Sequence, residues 1–238
     1  LRAGEPAESN IFNRLDEHKR ALLASGKDVI NLSIGTPDFQ PEPHIMQAVS
    51  RAALDPEQYK YSLNETRALL DAVQGWYKRR YDVELADDEI MAVCGSQEGI
   101  AHVCFPFAGP NDIILVPDPG YPIFSFGPLM TGATVALYPL KEENNWLLDF
   151  ADIPEDIADR AKAMVVSYPN NPTTALADRA FYERLVTFAR EHNIIVIHDN
   201  AYSDLLLNGE QGLSFLSIPG AKEVGIEFNS LSKTYNLT

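Results

Sequence analysis

Six short apolar runs, separated by longer amphipathic stretches, constrain the fold of this chain more than any other feature. Short continuous apolar runs divided by helical segments are typical of a mostly parallel sheet with both faces covered by helices. The sequence therefore predicts an α/β fold. The expected strands are Ile90–Cys94, Ile113–Val116, Thr134–Leu137, Ala163–Val166, Ile194–Ile197 and Val224–Phe228.

The residues before this alternation follow a different pattern. The spacing predicts a first helix with its cap at Ser9 or Asn10 and its end at Ser25–Lys27, followed by a short strand at Val29–Ser33. We interpret residues 1–40 as an N-terminal arm and the start of a smaller domain. Two further helical patterns, Ile45–Leu54 and Leu69–Tyr81, belong to the large domain, 41–238.

Composition excludes several classes of protein. The chain has 19 Lys and Arg against 34 Asp and Glu, a formal net charge of -15, and such a field repels nucleic acid. No apolar run is long enough for a membrane span and no secretory signal is visible, so we expect a cytoplasmic protein without a membrane partner. Cys94 and Cys104 form no CxxC pair, and we expect them to be reduced, buried thiols.

Ligands of open α/β sheets bind at the carboxyl ends of the strands, so the residues after each apolar run are candidates for chemistry. The first run leads into Gly95–Gly99. There a glycine and the Ser96 hydroxyl would meet a helix N-terminus, which is a natural phosphate cradle. A plain N-cap serine explains Ser96 about as well.

Two stiff turns follow the next strands. The prolines and glycine of Pro117–Pro122 would present Tyr121 at the sheet edge, where its ring can stack on a planar ligand. A tyrosine packed inside its own loop is the alternative. The second turn, Tyr168–Thr173, carries amide side chains.

A carboxylate, Asp199, lies directly after the apolar run Ile194–Ile197 and His198. Burial of a charge is costly without a partner, so a protonated ring nitrogen would account for this position. A helix-capping aspartate is the other interpretation. His198 has no second ligand at helical or strand spacing, so we expect a packed histidine and no metal site.

Lys233 follows the last run and lies among hydroxyl residues in Ser230–Thr234. A lysine becomes nucleophilic when its environment lowers its pKa, as a Schiff base with an aldehyde requires. A solvated surface lysine is the alternative. Taken together, the strand ends offer a phosphate turn, a stacking tyrosine, a carboxylate for a ring nitrogen and a Schiff-base lysine, and pyridoxal phosphate needs all four.

Six motifs of this chain resemble, in their residues and in their order along the sequence, those of the class I/II, fold-type I aminotransferases, which depend on pyridoxal phosphate. The resemblance covers nearly the whole chain. Within the family, the chain is similar to a subgroup that contains LL-diaminopimelate, alanine and aspartate aminotransferases. It implies the PLP-dependent transferase fold, with 41–238 as the cofactor-binding domain. The motifs are Ile34–Phe39, Gly95–Gly99, Pro119–Pro122, Asn170–Thr173, His198–Asp204 and Ser230–Lys233.

The resemblance also implies roles for single residues. Lys233 would form the aldimine with the cofactor and move the substrate proton, while Asp199 would pair with the ring nitrogen. Gly35 would approach the substrate carboxylate through its backbone. The other cofactor-binding residues would hold the phenolic oxygen (Asn171 and Tyr202), the ring face (Tyr121) and the phosphate (Ser96, Gln97, Ser230 and Ser232).

Further implications concern assembly and length. By the resemblance, Tyr61 reaches the phosphate of a neighbouring subunit, which implies a homodimer. Thr174 stands where the family usually has glycine, so we expect an altered turn there.

Family members continue well beyond the lysine. We therefore expect the chain to be truncated before the C-terminal small domain, with a phosphate-binding arginine and the substrate-carboxylate arginine beyond Thr238.

The implied function is transfer of an amino group between an L-amino acid and a 2-oxo acid, by a ping-pong mechanism through Lys233. Two alternatives stay open. A PLP-dependent carbon-sulfur lyase shares every motif named above. A non-catalytic aminotransferase-like domain of a transcription regulator would follow a basic DNA-binding module, and the charge of -15 counts against it.

Overall fold

The structure is a computed structural model that describes residues 11–32, 35–207 and 209–237. The described residues fall into two compact units, one ending at Gln40 and the other beginning at Pro41. Within these ranges, no helix is long and apolar enough to cross a membrane. The assignment of two domains stays a prediction.

The first unit contains helix α1 (Ile11–Ala24), at the predicted position. It ends at a turn in which Gly26 has a φ of 78°, a conformation that favours glycine. The predicted caps, Ser9 and Asn10, lie outside the described residues, as does Ser33. The predicted strand is wrong for residues 29–32, which do not form a strand.

A five-stranded parallel sheet organises the second unit and confirms the α/β prediction. Its strands are β1 (Ile113–Asp118), β2 (Thr134–Pro139), β3 (Ala161–Ser167), β4 (Ile195–Asp199) and β5 (Gly225–Phe228). Their spatial order is β2-β1-β3-β4-β5. The register aligns Ser167 with Asp199 and Asp199 with Phe228, so the last residues of three strands meet at one edge.

Helices lie before, between and after the strands. Two of them match the helical patterns predicted before residue 82. The helices described in this unit are α2 (Pro43–Ala53), α3 (Arg67–Tyr81), α4 (Ser96–His102), α5 (Ile123–Met130), α6 (Glu155–Ala158), α7 (Arg179–Glu191) and α8 (Leu231–Thr234).

Apolar side chains cover both faces of the sheet, because neighbouring residues of a strand point to opposite sides. On one face, Met164 of β3 belongs to a buried cluster with Leu185 of α7. On the other, Val165 joins a cluster with Ile100 of α4 and Phe124 of α5. The sheet is therefore held between two layers of helices, and its carboxyl edge stays available to a ligand.

The predicted strand at Ile90–Cys94 is wrong. Its backbone donors bond to side chains and not to a neighbouring strand. The Ala92 N–H donates to the Glu65 carboxylate at 2.8 Å, and the Cys94 N–H donates to the Glu98 carboxylate at 2.7 Å. An apolar run alone does not specify a strand, because it does not reveal which partner its backbone will find.

The two cysteines lie in different environments. Cys104 is buried as expected, and burial raises the pKa of its thiol to about 11. Cys94 is exposed, so the expectation of a buried thiol is wrong there, because the segment that carries it is not part of the sheet. Neither cysteine forms a disulfide in the described part of the chain.

Two glycines bring α4 to the carboxyl end of β5. The Phe228 ring lies so close to Gly99 that a Cβ added at Gly99 would overlap it. Gly95, directly before α4, has a φ of 88°, which other residues rarely adopt. The first turn of α4 therefore lies beside the end of the sheet, where the candidate residues converge.

We expect Gly99→Ala to lower the free energy of unfolding by about 1–3 kcal/mol, because it overpacks the contact with Phe228. Gly109→Ala is the matched control, since its added Cβ would have its nearest neighbour, Asp112 Oδ2, at 4.0 Å. Urea unfolding measures both variants. Equal effects of the two substitutions would contradict this account of the packing.

Candidate active site

The carboxyl edge of the sheet brings together most of the residues selected from the sequence. Asp199 ends β4, Tyr202 follows it by three residues, and Tyr121 follows the end of β1. Burial, and after it the charge of Asp199, raises the pKa of both tyrosines. The three side chains therefore share one electrostatic environment.

Asp199 is buried, with 5% of its surface exposed. Burial raises the pKa of its carboxyl to about 6, although His198, the Ala201 N–H and Lys233 favour the charged form. Its Oδ1 has no hydrogen-bond partner among the described residues. A buried carboxylate oxygen without a donor is costly, so the position suits a cationic donor that a ligand would bring.

The helix-cap interpretation of Asp199 is wrong. The Ala201 N–H does bond to its side chain, but residues 201–204 form a turn and not a helix. One part of the carboxyl group thus fixes the local turn, while Oδ1 stays available to a ligand.

Lys233 lies on α8 and is half-buried, which does not fit a solvated surface lysine. Its Nζ is 5.9 Å from the centroid of the Tyr202 ring, and its charge favours ionised Asp199. The preceding turn is fixed by Ser230, whose Oγ accepts a hydrogen bond from the Ser232 N–H at 3.1 Å. This cap sets where α8 begins and therefore where Lys233 lies.

Four residues are predicted to bind phosphate. Ser96 and Gln97 directly follow Gly95, while Ser230 is the N-cap of α8 and Ser232 lies in that helix. Ser96 is the first residue of α4, and the N-cap is Gly95, so the N-cap interpretation of Ser96 is wrong. Gln97 accepts a hydrogen bond from the Tyr121 hydroxyl at 3.2 Å. That bond links the start of α4 to the turn after β1.

The turn after β3 holds Asn171 beside Tyr202, and their side-chain hydrogen bond partly offsets the rise in the Tyr202 pKa that burial causes. Asn170 fixes the turn, because its Oδ1 accepts from the N–H and the hydroxyl of Thr173, at 3.1 and 2.8 Å. Thr174 has a φ of 62°. It adopts the left-handed conformation that glycine favours.

The structure supports no assignment for two predicted residues. Tyr61 lies in the second unit and is 93% exposed. Gly35 belongs to the first unit and is exposed. Their roles stay predictions.

Sequence reasoning missed a buried polar network one residue before Asp199. Glu227 on β5 pairs with His198 on β4, and the distance between Oε2 and Nδ1 is 2.9 Å. The hydroxyls of Tyr77 and Ser214 also donate to this carboxylate. The available signal was a single carboxylate inside an apolar strand, but nothing in the sequence named its partners.

His198 is buried and packed, as expected from the sequence. Its ring nitrogens bond to protein groups, and its ring packs edge-on to Tyr182, with centroids 5.4 Å apart. Within the described ranges, no group of three His, Cys, Asp or Glu side chains is arranged to hold a metal ion.

A parallel α/β sheet with a buried aspartate, two tyrosines and a lysine at its carboxyl edge suits a flat ligand that carries a cationic ring nitrogen. The chain belongs to the family of class I and II aminotransferases, because the model of that family matches residues 27–238. The cofactor of this family is pyridoxal phosphate. The residues present fit that group, since Asp199 Oδ1 is a buried acceptor without a partner in the described chain.

Named relatives agree with the family. An LL-diaminopimelate aminotransferase from Aquifex aeolicus is 46% identical over 230 residues, and one from Syntrophobacter fumaroxidans is 45% identical. The match covers 96% of this chain in each case but 59% of each relative. The chain thus spans about three fifths of the length of these proteins.

Solved structures give the same result. BacF from Bacillus subtilis with bound substrate has a TM-score of 0.90 at 37% identity, covering 97% of this chain and 59% of BacF. A probable N-succinyldiaminopimelate aminotransferase from Thermus thermophilus has a TM-score of 0.89 at 37% identity, covering 96% and 62%. The chain therefore has the aminotransferase fold.

We expect Asp199→Asn to stabilise the cofactor-free protein at pH 7 by at most about 3 kcal/mol. The folded carboxyl has a pKa of about 6, against an ordinary value of 3.8. Folding therefore takes up a proton between these values, and the parent loses stability as pH rises through this window.

Urea unfolding of parent and variant from pH 4 to pH 8 tests this expectation over the interval between those two values. The gain should be absent near pH 4 and complete above the folded pKa. Asp118→Asn, at the exposed end of β1, is the control and should follow the parent. A gain that is independent of pH would contradict the assigned burial cost.

Proposed function

We propose that the full-length protein is a pyridoxal-phosphate-dependent aminotransferase that moves an amino group between an L-amino acid and a 2-oxo acid. The observation that carries the proposal is the buried Oδ1 of Asp199, which has no donor among the described residues and lies near the charge of Lys233. A bound, protonated ring nitrogen would complete this arrangement.

Pyridoxal phosphate supplies an aldehyde for the amino group and a ring that withdraws electrons from the substrate α-carbon. Asp199 would accept the hydrogen bond of the ring nitrogen, and its negative charge would keep that nitrogen protonated. Lys233 would hold the cofactor covalently between turnovers. Once displaced, its free amine would take the α-proton and return it during the reaction.

The surrounding side chains would orient the cofactor. Tyr202 and Asn171, which are hydrogen-bonded to each other, would bind its phenolic oxygen. Tyr121 would cover the ring, and its own ring is held edge-on against Phe124 with centroids 5.9 Å apart. The phosphate would be bound by Ser96, Gln97, Ser230 and Ser232.

LL-diaminopimelate is the first substrate to test. Relatives with that name are 42–46% identical to this chain, and alanine and aspartate are the next amino donors in the proposed subgroup. Gly35 would approach the substrate carboxylate through its backbone. Because this chain covers 59% of the first of these relatives, its substrate is a proposal.

We further propose a cytoplasmic homodimer. The exposed ring of Tyr61 is accessible to a second subunit, whose cofactor phosphate it would reach. The two free cysteines suit a reducing compartment.

We expect borohydride reduction of the full-length protein with pyridoxal phosphate to fix the cofactor on Lys233. Peptide mass spectrometry locates the adduct, and Lys233→Ala should lose both the adduct and the visible absorption of the bound cofactor. Lys162→Ala is the control, because its side chain is 54% exposed on β3. A cofactor fixed on another lysine would overturn the assignment.

We expect ping-pong kinetics, with parallel double-reciprocal plots for the amino acid and the 2-oxo acid, because the two substrates use the cofactor in turn. Initial rates at several fixed concentrations of each substrate measure this pattern. Release of pyruvate and ammonia from a cysteine-type substrate without a 2-oxo acid would instead identify a carbon-sulfur lyase.

A further inference from the structure

We infer that His198 and Glu227 form a positioning pair, which holds the Asp199 carboxylate in place and ionised for the cofactor. The inference rests on the proposed function. The pair itself touches neither substrate nor cofactor, and it would act only through Asp199.

Glu227 is held as an anion by four donors, although its side chain is completely buried. Its Oε1 accepts from Tyr77 at 2.9 Å and from Ser214 at 2.8 Å. Its Oε2 accepts from His198 at 2.9 Å and from the Phe215 N–H at 2.8 Å. A carboxylate offers about four acceptor sites, so this network leaves Glu227 no position for a proton of its own.

The other nitrogen of the His198 ring also lies among polar groups of the protein. Nε2 lies 3.0 Å from the Tyr182 hydroxyl and 3.3 Å from the Tyr168 carbonyl, which can only accept. The Tyr182 hydroxyl is itself 3.3 Å from that carbonyl. Both ring nitrogens are therefore bonded inside the fold, and Nδ1 donates to the buried Glu227 carboxylate, which can only accept.

The sheet register makes this pair the immediate neighbour of the candidate site. His198 lies opposite Glu227, and Asp199 lies opposite Phe228. The Asn200 N–H then donates to the Phe228 carbonyl at 2.8 Å. Asp199 is thus held between a buried charge pair on one side and a backbone hydrogen bond on the other.

The pair also ties the strand of Asp199 to the segment of Lys233. Glu227 lies on β5, which leads through the Ser230 turn to α8. Any loss of the contact between His198 and Glu227 therefore loosens the two elements that carry the aspartate and the lysine.

Glu227 from β5 and Tyr182 from α7 face His198, and Tyr77 of α3 faces the far side of Glu227. Asp199 is the next residue of β4, and its side chain points to the opposite face of the sheet. Burial opposes ionisation of Glu227, but the hydrogen bond and charge of His198 hold its pKa below the ordinary value. Burial, and then Glu227, raises the pKa of Tyr77 and of Tyr182, so both stay neutral. His198 is the strongest influence favouring ionised Asp199.

The test is the pH midpoint of the visible absorption of bound pyridoxal phosphate in the full-length protein. His198→Asn keeps a donor toward Glu227 but removes the imidazole that favours ionised Asp199. Asp199 then ionises less readily, the ring nitrogen loses its proton, and the nitrogen linked to Lys233 holds its proton more tightly. We expect the midpoint to rise by roughly one pH unit and the cofactor to bind on the order of tenfold more weakly.

Tyr182→Phe is the matched control. It removes a hydroxyl from the same buried site without changing its charge, and Nε2 keeps the Tyr168 carbonyl as acceptor. Its midpoint should equal that of the parent, even if its thermal unfolding temperature falls as far as that of His198→Asn. Equal shifts in both variants would mean that the pair has only a structural role and would overturn the inference.

Glu227→Gln provides a second variant in case His198→Asn does not fold. It removes the carboxylate that holds the His198 ring, so the midpoint should again rise. An unchanged midpoint in the charge-removing variants, while the parent binds cofactor through Lys233, overturns the positioning pair and leaves the proposed function intact. A parent that binds no cofactor overturns both.

Discussion

The parallel register of β3, β4 and β5 is the constraint on which the site depends. It places the ends of these strands at one edge, so that residues distant in the sequence share one environment. Because neighbouring residues of a strand face opposite sides, a shift of one residue in β4 would put His198 in the place of Asp199. Apolar helices on both faces resist such a shift.

The candidate site lowers the stability of the folded chain. Asp199 is buried with an oxygen that lacks a donor in the described residues, and Thr174 adopts a conformation that suits glycine. Such local costs are common at functional sites and persist because the surrounding structure over-determines them. A ligand that binds the folded form offsets part of the cost, since binding shifts the folding equilibrium.

Much of the fold was predictable because apolar runs reflect strands buried on both faces, as in β1, β3 and β4. The same pattern failed at Ile90–Cys94, where Glu65 and Glu98 take the backbone donors. The candidate cofactor residues were named from the order of their motifs. Their contacts were not, because a hydrogen bond such as that of Tyr77 with Glu227 joins residues 150 positions apart. Local sequence patterns carry no information about such pairs.

The central claim is that Asp199 Oδ1 receives the ring nitrogen of pyridoxal phosphate while Lys233 carries the cofactor. A crystal structure of the full-length protein with pyridoxal phosphate tests it most directly. The account predicts continuous density from Lys233 Nζ to the cofactor, with the ring nitrogen hydrogen-bonded to Asp199. A cofactor bound elsewhere, or one whose ring nitrogen faces another group, would contradict it.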